Sequence, residues 1–168
     1  MKVQEIMTRD VKFCGPATNL AAATEMLWRN NCGTLPVLDS SGKLTGVITD
    51  RDMCIAMGTR NWTARDLAVR DVAIQPVFTC GADDDVREAL KTMGQRHVRR
   101  MPVVSGDGKL AGILSLDEIA LRAEKAEGKK TPDISYEDVL NTMKAIYEHR
   151  AAEAPKAAAL AGGAAGAL

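Results

Sequence analysis

The sequence predicts an α+β fold: two tandem copies of one β-α-β-β-α unit, followed by an amphipathic helix. Three observations carry this prediction. The chain aligns with itself without a gap at an offset of 66 residues. Within each copy a helical apolar period gives way to two short strand-type runs around a glycine turn. Beyond the second copy, apolar residues return at helical spacing from Tyr136 to Tyr147.

The repeat is visible residue by residue. Val3 falls on Val69, Cys14-Gly15 on Cys80-Gly81, Pro36-Val37 on Pro102-Val103, and Gly42-Lys43-Leu44 on Gly108-Lys109-Leu110. Conservative pairs fill the register between them, including Glu5/Asp71, Thr49/Ser115 and Asp52/Glu118. Residues 1–58 form copy one, 59–68 a linker and 69–122 copy two. Residues 123–150 supply a charged linker and the amphipathic helix, and 151–168 an Ala/Gly-rich flexible tail.

Each copy opens with a short extended stretch, around Val11-Lys12-Phe13 and Val77-Phe78-Thr79. A helix follows. Thr18 or Asn19 caps it in copy one, and the Asp83-Asp84-Asp85 run suits its first turn in copy two. Leu20, Ala23 and Leu27 form the apolar face of the first helix; Val86, Ala89, Leu90 and Met93 form that of the second. Strands at 35–38 and 101–104 come next, then Gly-containing hairpin turns at 39–42 and 105–108, return strands at 44–49 and 110–115, and closing helices from Asp50 and Leu116. Proline inside the first hairpin strand restricts it to a sheet edge or a strand start. A unit of about 55 residues builds only a marginal core, so the copies are expected to pack together. In the last region, Ser135 and Asp138 resemble a capping box ahead of Tyr136, Val139, Leu140, Met143, Ile146 and Tyr147. The apolar face of that helix needs a cover, from its own module, a second subunit or a partner, the first two being favoured.

Composition narrows function. Lys+Arg and Asp+Glu are 22 each, giving zero net charge, and aromatics are 4%. Neither a long basic track nor a stacking platform for nucleic acid is expected. The four cysteines form no CxxC pair and there are two histidines, so zinc-type spacing is missing. Cys14 and Cys80, related by the repeat, read as small buried apolar residues. No apolar run is long enough to span a bilayer and the first residues lack a signal-peptide core. We therefore expect a cytoplasmic protein with no membrane partner. Trp28 is expected to pack at a helix or dimer interface; its counterpart in copy two is Gly94. No catalytic set gathers around His97, so no enzyme activity is expected.

Each copy resembles a CBS domain, and the tandem resembles the paired arrangement called a Bateman module. The stretches PVLDSSGKLTGVITDRDM (36–53) and PVVSGDGKLAGILSLDEI (102–119) carry the likeness, with VQEIMTRDV (3–11) and VRDVAIQPV (69–77) upstream. The resemblance implies pseudo-two-fold packing of the copies, two clefts between them, and an adenosine-containing ligand: AMP, ADP, ATP or S-adenosylmethionine, none of them an obligatory cofactor. It also implies a homodimer acting on an unidentified protein target in trans. A ligand-free dimerisation or protein-interaction module is the alternative.

Carried onto this sequence, the family's ligand stretch falls on Thr49, Asp50, Arg51 and Asp52 in copy one and on Ser115, Asp117 and Glu118 in copy two. Thr49 takes the hydroxyl position and Asp52 the ribose-binding acid; a carboxylate accepts two hydrogen bonds from a diol. Thr49 and Asp50 also fit as a simple helix cap. Glu118 replaces the expected Asp, so the Asp52 cleft is expected to bind better. His97, Arg99 and Arg100 precede Pro102, and guanidinium groups suit phosphate. Copy one has no charge at the matching stretch, so a phosphate should lean on copy two.

Overall fold

The computed structural model describes residues 1–126 and 132–153. Most of the tail expected over 151–168 lies outside the described residues. Copy one contains α1 (Leu20–Arg29), β1 (Thr34–Leu38), β2 (Leu44–Thr49) and α2 (Asp50–Arg60). Copy two contains β3 (Cys80–Gly81), α3 (Val86–Arg96), β4 (Arg100–Val104), β5 (Leu110–Ser115) and α4 (Leu116–Arg122), and α5 (Tyr136–Glu153) follows. Asn19 caps α1, its side chain accepting from Ala22 N–H at 2.9 Å. Asp85 caps α3, accepting from Arg87 N–H at 2.8 Å. Both hairpins run antiparallel in matching register, Pro36 opposite Val47 and Pro102 opposite Ile113. Gly42 and Gly108 close them at φ of 81° and 80°, a left-handed conformation that glycine adopts without steric cost.

The opening strands lie further along than the sequence places them. Pairing begins at Cys80–Gly81, parallel to Val103–Val104. In copy one it shrinks to a single bridge between Cys14 and Val37. Lys12 and Phe13 are exposed and Val77 and Phe78 turn toward a cleft, so neither stretch joins a ladder. Pro36 lies in a two-stranded sheet, where each strand is an edge as expected, but Pro102 does not. In copy two, β4 is the middle strand of three, not an edge. It tolerates Pro102 because β3 pairs only from Val103 onward. In copy one, the Pro36 carbonyl accepts from Cys14 N–H at 3.0 Å, so the ring nitrogen faces that side and β2 loses no donor.

The sequence repeat is not the packing unit. The opening segment of each copy packs into the other copy. Val3, Ile6 and Met7 lie in one core with Cys80, Val86, Leu90, Met101 and Leu114. Val69 lies in the other with Cys14, Leu20, Leu35 and Ile48, with Val72 and Ala73 packed against it. Backbone bonds repeat the exchange in both halves. Val3 N–H donates to Asp84 C=O at 3.0 Å and Val69 N–H to Thr18 C=O at 2.8 Å. Thr8 and Ile113 exchange two bonds at 3.0 and 2.9 Å, as Ile74 and Val47 do at 2.8 and 3.4 Å. Cys14 and Cys80 are buried as expected, but in different cores.

The helix α5 covers its own module. Ile134, Val139 and Ile146 join the second core, and a Cβ at Gly94 would lie 3.5 Å from that of Ala145. Ser135 and Asp138 form the reciprocal cap: Ser135 N–H donates to Asp138 Oδ2 at 2.8 Å, and Asp138 N–H to Ser135 Oγ at 3.1 Å. The Ser135 N–H also holds the Asp138 carboxyl below the usual range. The apolar face is narrower than the sequence indicates, because Tyr136, Leu140 and Tyr147 are exposed. Trp28 is 85% exposed in the single chain: α5 packs on α3 and α4, and among the described residues no equivalent helix covers α1.

Two outcomes follow from this packing. A Cβ at Gly112 would come within 2.8 Å of both Met7 Sδ and the Thr8 carbonyl, whereas at Gly46 the nearest atom is 3.3 Å away. Gly112→Ala should therefore cost about 1–3 kcal/mol in urea unfolding, as overpacking does, and more than Gly46→Ala. Burial raises the Cys14 and Cys80 thiols to about 11. An alkylating reagent near neutral pH should label exposed Cys54 first and reach Cys14 and Cys80 only on unfolding, as mass spectrometry of the digest would show.

Candidate functional site

Two clefts lie between the copies, related by the 66-residue offset. The first, about 430 Å3, is lined by Thr49, Asp50, Arg51 and Asp52 from copy one and by His97, Arg99 and Arg100 from copy two. Ile74, Val77 and Phe78 form an apolar wall. The second, about 510 Å3, is lined by Arg100, Ser115, Asp117 and Glu118, with Thr8, Asp10 and Lys12 along the exchanged segment. All ten residues singled out in the sequence thus line a cleft. Seven gather in the first and four in the second, with Arg100 in both.

The exchanged segments supply what the motif misses. Ile74 of the first cleft corresponds to Thr8 of the second, and Phe78 to Lys12. A motif search inside each copy passes over these positions, because their side chains serve the opposite half. The signal was present as two unlike pairs in the self-alignment.

The helix starts explain the geometry of the acids. Thr49 N–H donates to Asp52 Oδ2 at 3.0 Å, its hydroxyl donates to the same oxygen at 2.5 Å, and Asp52 N–H donates back to Thr49 Oγ1 at 3.2 Å. Thr49 is therefore the cap of α2, and its hydroxyl proton is committed to Asp52. Asp50 accepts from Arg51 N–H at 2.7 Å. In copy two, Ser115 N–H donates to Glu118 Oε2 at 2.8 Å, with the Ser115 hydroxyl on the same oxygen. The longer Glu118 side chain leaves its other oxygen to accept from the Thr8 hydroxyl. Ile74, at the matching place over Asp52, has no such donor.

Charge separates the clefts further. In the second, Lys12 Nζ meets Asp10 at 2.8 Å and Arg100 Nη2 meets Asp117 Oδ2 at 3.2 Å. With Glu118 held by Ser115 and Thr8, every acid there has a partner from the chain. In the first, Arg51 and Arg99 enter no ion pair among the described residues. Phe78 lies 4.9 Å from the Arg96 guanidinium, centroid to carbon, a cation–π contact that backs the apolar wall. His97 ends α3 in a left-handed conformation at φ 56°. Among the described residues, no group of three or more His, Cys, Asp or Glu side chains could hold a metal ion. No described helix is long and apolar enough to cross a membrane.

Comparison with known proteins follows this architecture. The chain is 30% identical over 140 residues to the uncharacterized protein YlbB of Bacillus subtilis, covering 82% of this chain and 93% of YlbB. It is 29% identical over 119 residues to an uncharacterized protein of Methanopyrus kandleri, covering 71% of this chain but only 61% of that relative's length. Among solved structures, CBSX2 in complex with AMP superposes with a TM-score of 0.63 at 25% identity, covering 71% of this chain and 93% of that one. The sequence matches the CBS domain family twice, over residues 3–58 and 69–124, and the chain belongs to that family as a tandem CBS-domain pair.

Proposed function

We propose that the chain is a regulatory module that binds an adenosine-containing nucleotide in the Asp52 cleft and signals its occupancy in trans to a protein partner. One observation carries this reading: Arg51 and Arg99, in no ion pair among the described residues, line one cleft with the Asp52 carboxylate and the Ile74/Phe78 wall. These are the three chemistries that a nucleotide presents to a protein. The purine lies against the apolar wall. Asp52, steadied by Thr49 on one oxygen, accepts the ribose hydroxyls with the other. The phosphate meets Arg99 and Arg51, where two planar donors outmatch the solvated ion pairs usual on a surface. AMP in the related CBSX2 supports this ligand class. Binding ties the two copies together, because the cleft takes its walls from both. It shifts a partner-facing surface only as far as its affinity differs between the two states. The module acts as a homodimer.

The Glu118 cleft is the weaker site. Its acids already hold partners from the chain, and Lys12 and Thr8 replace the apolar wall. A nucleotide there must break these contacts before making its own.

Thermal melting with AMP, ADP, ATP and S-adenosylmethionine tests the assignment. A ligand that binds only the folded chain at one hundred times its Kd adds about 2.7 kcal/mol of stability and raises Tm. No rise with any of the four at millimolar concentration would reject ligand sensing in favour of a ligand-free interaction module. Losing a hydrogen bond to a charged group costs about 1.5–3 kcal/mol. Asp52→Ala should therefore weaken nucleotide binding at least tenfold by calorimetry, and Glu118→Ala much less. Equal losses would remove the distinction between the clefts. Arg99→Gln should weaken AMP binding and flatten its salt dependence, while adenosine, which carries no phosphate, should bind Arg99→Gln as it binds the parent chain.

A further inference from the structure

We propose that Arg100 couples the two clefts: an anionic ligand in the Asp52 cleft draws its guanidinium away from Asp117 and so changes the charge of the Glu118 cleft. This rests on the reading that the Asp52 cleft holds a nucleotide. Arg100 starts β4 on the wall shared by the clefts and lines both of them. Its repeat counterpart, Thr34, also lines both, but carries no charge to transfer. The coupling is therefore one-sided, through a single guanidinium.

The bond that holds Arg100 is one that a ligand can displace. It is a single contact, Nη2 to Asp117 Oδ2 at 3.2 Å, and the Asp117 side chain is 76% exposed. Such pairs contribute little to stability because water and salt screen them. A phosphate group offers the same guanidinium two parallel charge-assisted bonds in a more enclosed cleft. Asp117 itself occupies the helix position that Arg51 occupies in copy one. One position of the repeat thus places a cation at the mouth of the first cleft and the counter-ion of Arg100 at the mouth of the second. Once Arg100 turns, the second cleft is left with Asp117 unpaired and gains negative charge. Reciprocity of linked binding requires the converse: a cation that occupies Asp117 releases Arg100 and tightens anion binding in the first cleft.

Calorimetric titration of the full chain with AMP and with adenosine tests the coupling, because only AMP carries the phosphate. The quantity to read is the ratio of AMP to adenosine affinity in the parent chain, Asp117→Asn, Arg100→Gln and the double variant. Releasing Arg100 by Asp117→Asn should raise the ratio about two- to fivefold, the span of an exposed ion pair. Arg100→Gln should lower it, and adding Asp117→Asn to Arg100→Gln should change nothing. A ratio unmoved by Asp117→Asn, or one raised equally with Arg100 absent, overturns the coupling while leaving the nucleotide site standing. A parent chain that binds neither compound overturns both. Melting curves of each variant confirm that it is folded, and Asp117→Ser replaces Asp117→Asn if the latter is not.

Discussion

The exchange of leading segments is the constraint on which the rest depends. Each half closes its core with side chains from the other half's stretch of chain. Val3 and Val69 are fully buried in these exchanged positions. A buried valine contributes about 1.5–3 kcal/mol, and repeat units of this size have little stability to spare. Neither half has a complete core without the other's segment. The exchange also fixes the clefts. Thr8 and Ile74 are anchored by paired backbone bonds to Ile113 and Val47, and they stand over the acids at the starts of α4 and α2. Gly112 and Gly46 are glycine because the exchanged strand runs directly over them.

Symmetric backbones with unlike side chains then give two clefts of different chemistry. The caps are built alike: a hydroxyl at the residue before the helix and an acid three residues on. One methylene separates the outcomes. Asp52 spends one oxygen on its cap, while Glu118 reaches further and spends both, the second on Thr8. The neighbouring charges run the same way, with Arg51 against Asp117 at one helix position and Phe78 against Lys12 on the exchanged segment. A cleft that satisfies its own polar groups gains less from a polar ligand, because each new bond replaces an existing one.

Much of the fold was legible because the repeat doubled every signal. Glycine turns, caps and apolar faces appeared twice in one register, and the observed helices and hairpins follow them. The opening strands were not legible, since at Val11–Phe13 and Val77–Thr79 β-type residues face solvent or a cleft and find no ladder. Nor was the exchange, because a self-alignment is identical whether a segment packs on its own copy or on its neighbour. The candidate site was half legible for the same reason. Thr49 to Asp52 and His97 to Arg100 lie within single copies and could be found by motif. Ile74, Phe78 and Thr8 reach their clefts only through the exchange. The sequence left Thr49 between ligand contact and cap; its bonds to Asp52 make it the cap of α2, while it also lines the first cleft.

Breaking the symmetry in one half has consequences in the outer layer too. In copy two, Gly94 allows α5 to approach α3 closely, and Arg87 fastens the entry to α5 by donating to the carbonyls of Pro132 and Asp133 at 2.9 Å each. In copy one, Trp28 occupies the position of Gly94, and a bulky ring there prevents any helix from docking in the same way. The two outer faces of the module are therefore chemically unlike, one sealed by its own helix and one carrying an exposed indole. The two clefts are unlike in the same sense, one with Arg51 and Arg99 outside any ion pair among the described residues and one whose charges are paired from within. A ligand that tightens the first cleft thus acts on a body with distinguishable ends. In a symmetric body both ends would respond alike; here the two faces differ, and the proposed read-out by a partner rests on that difference.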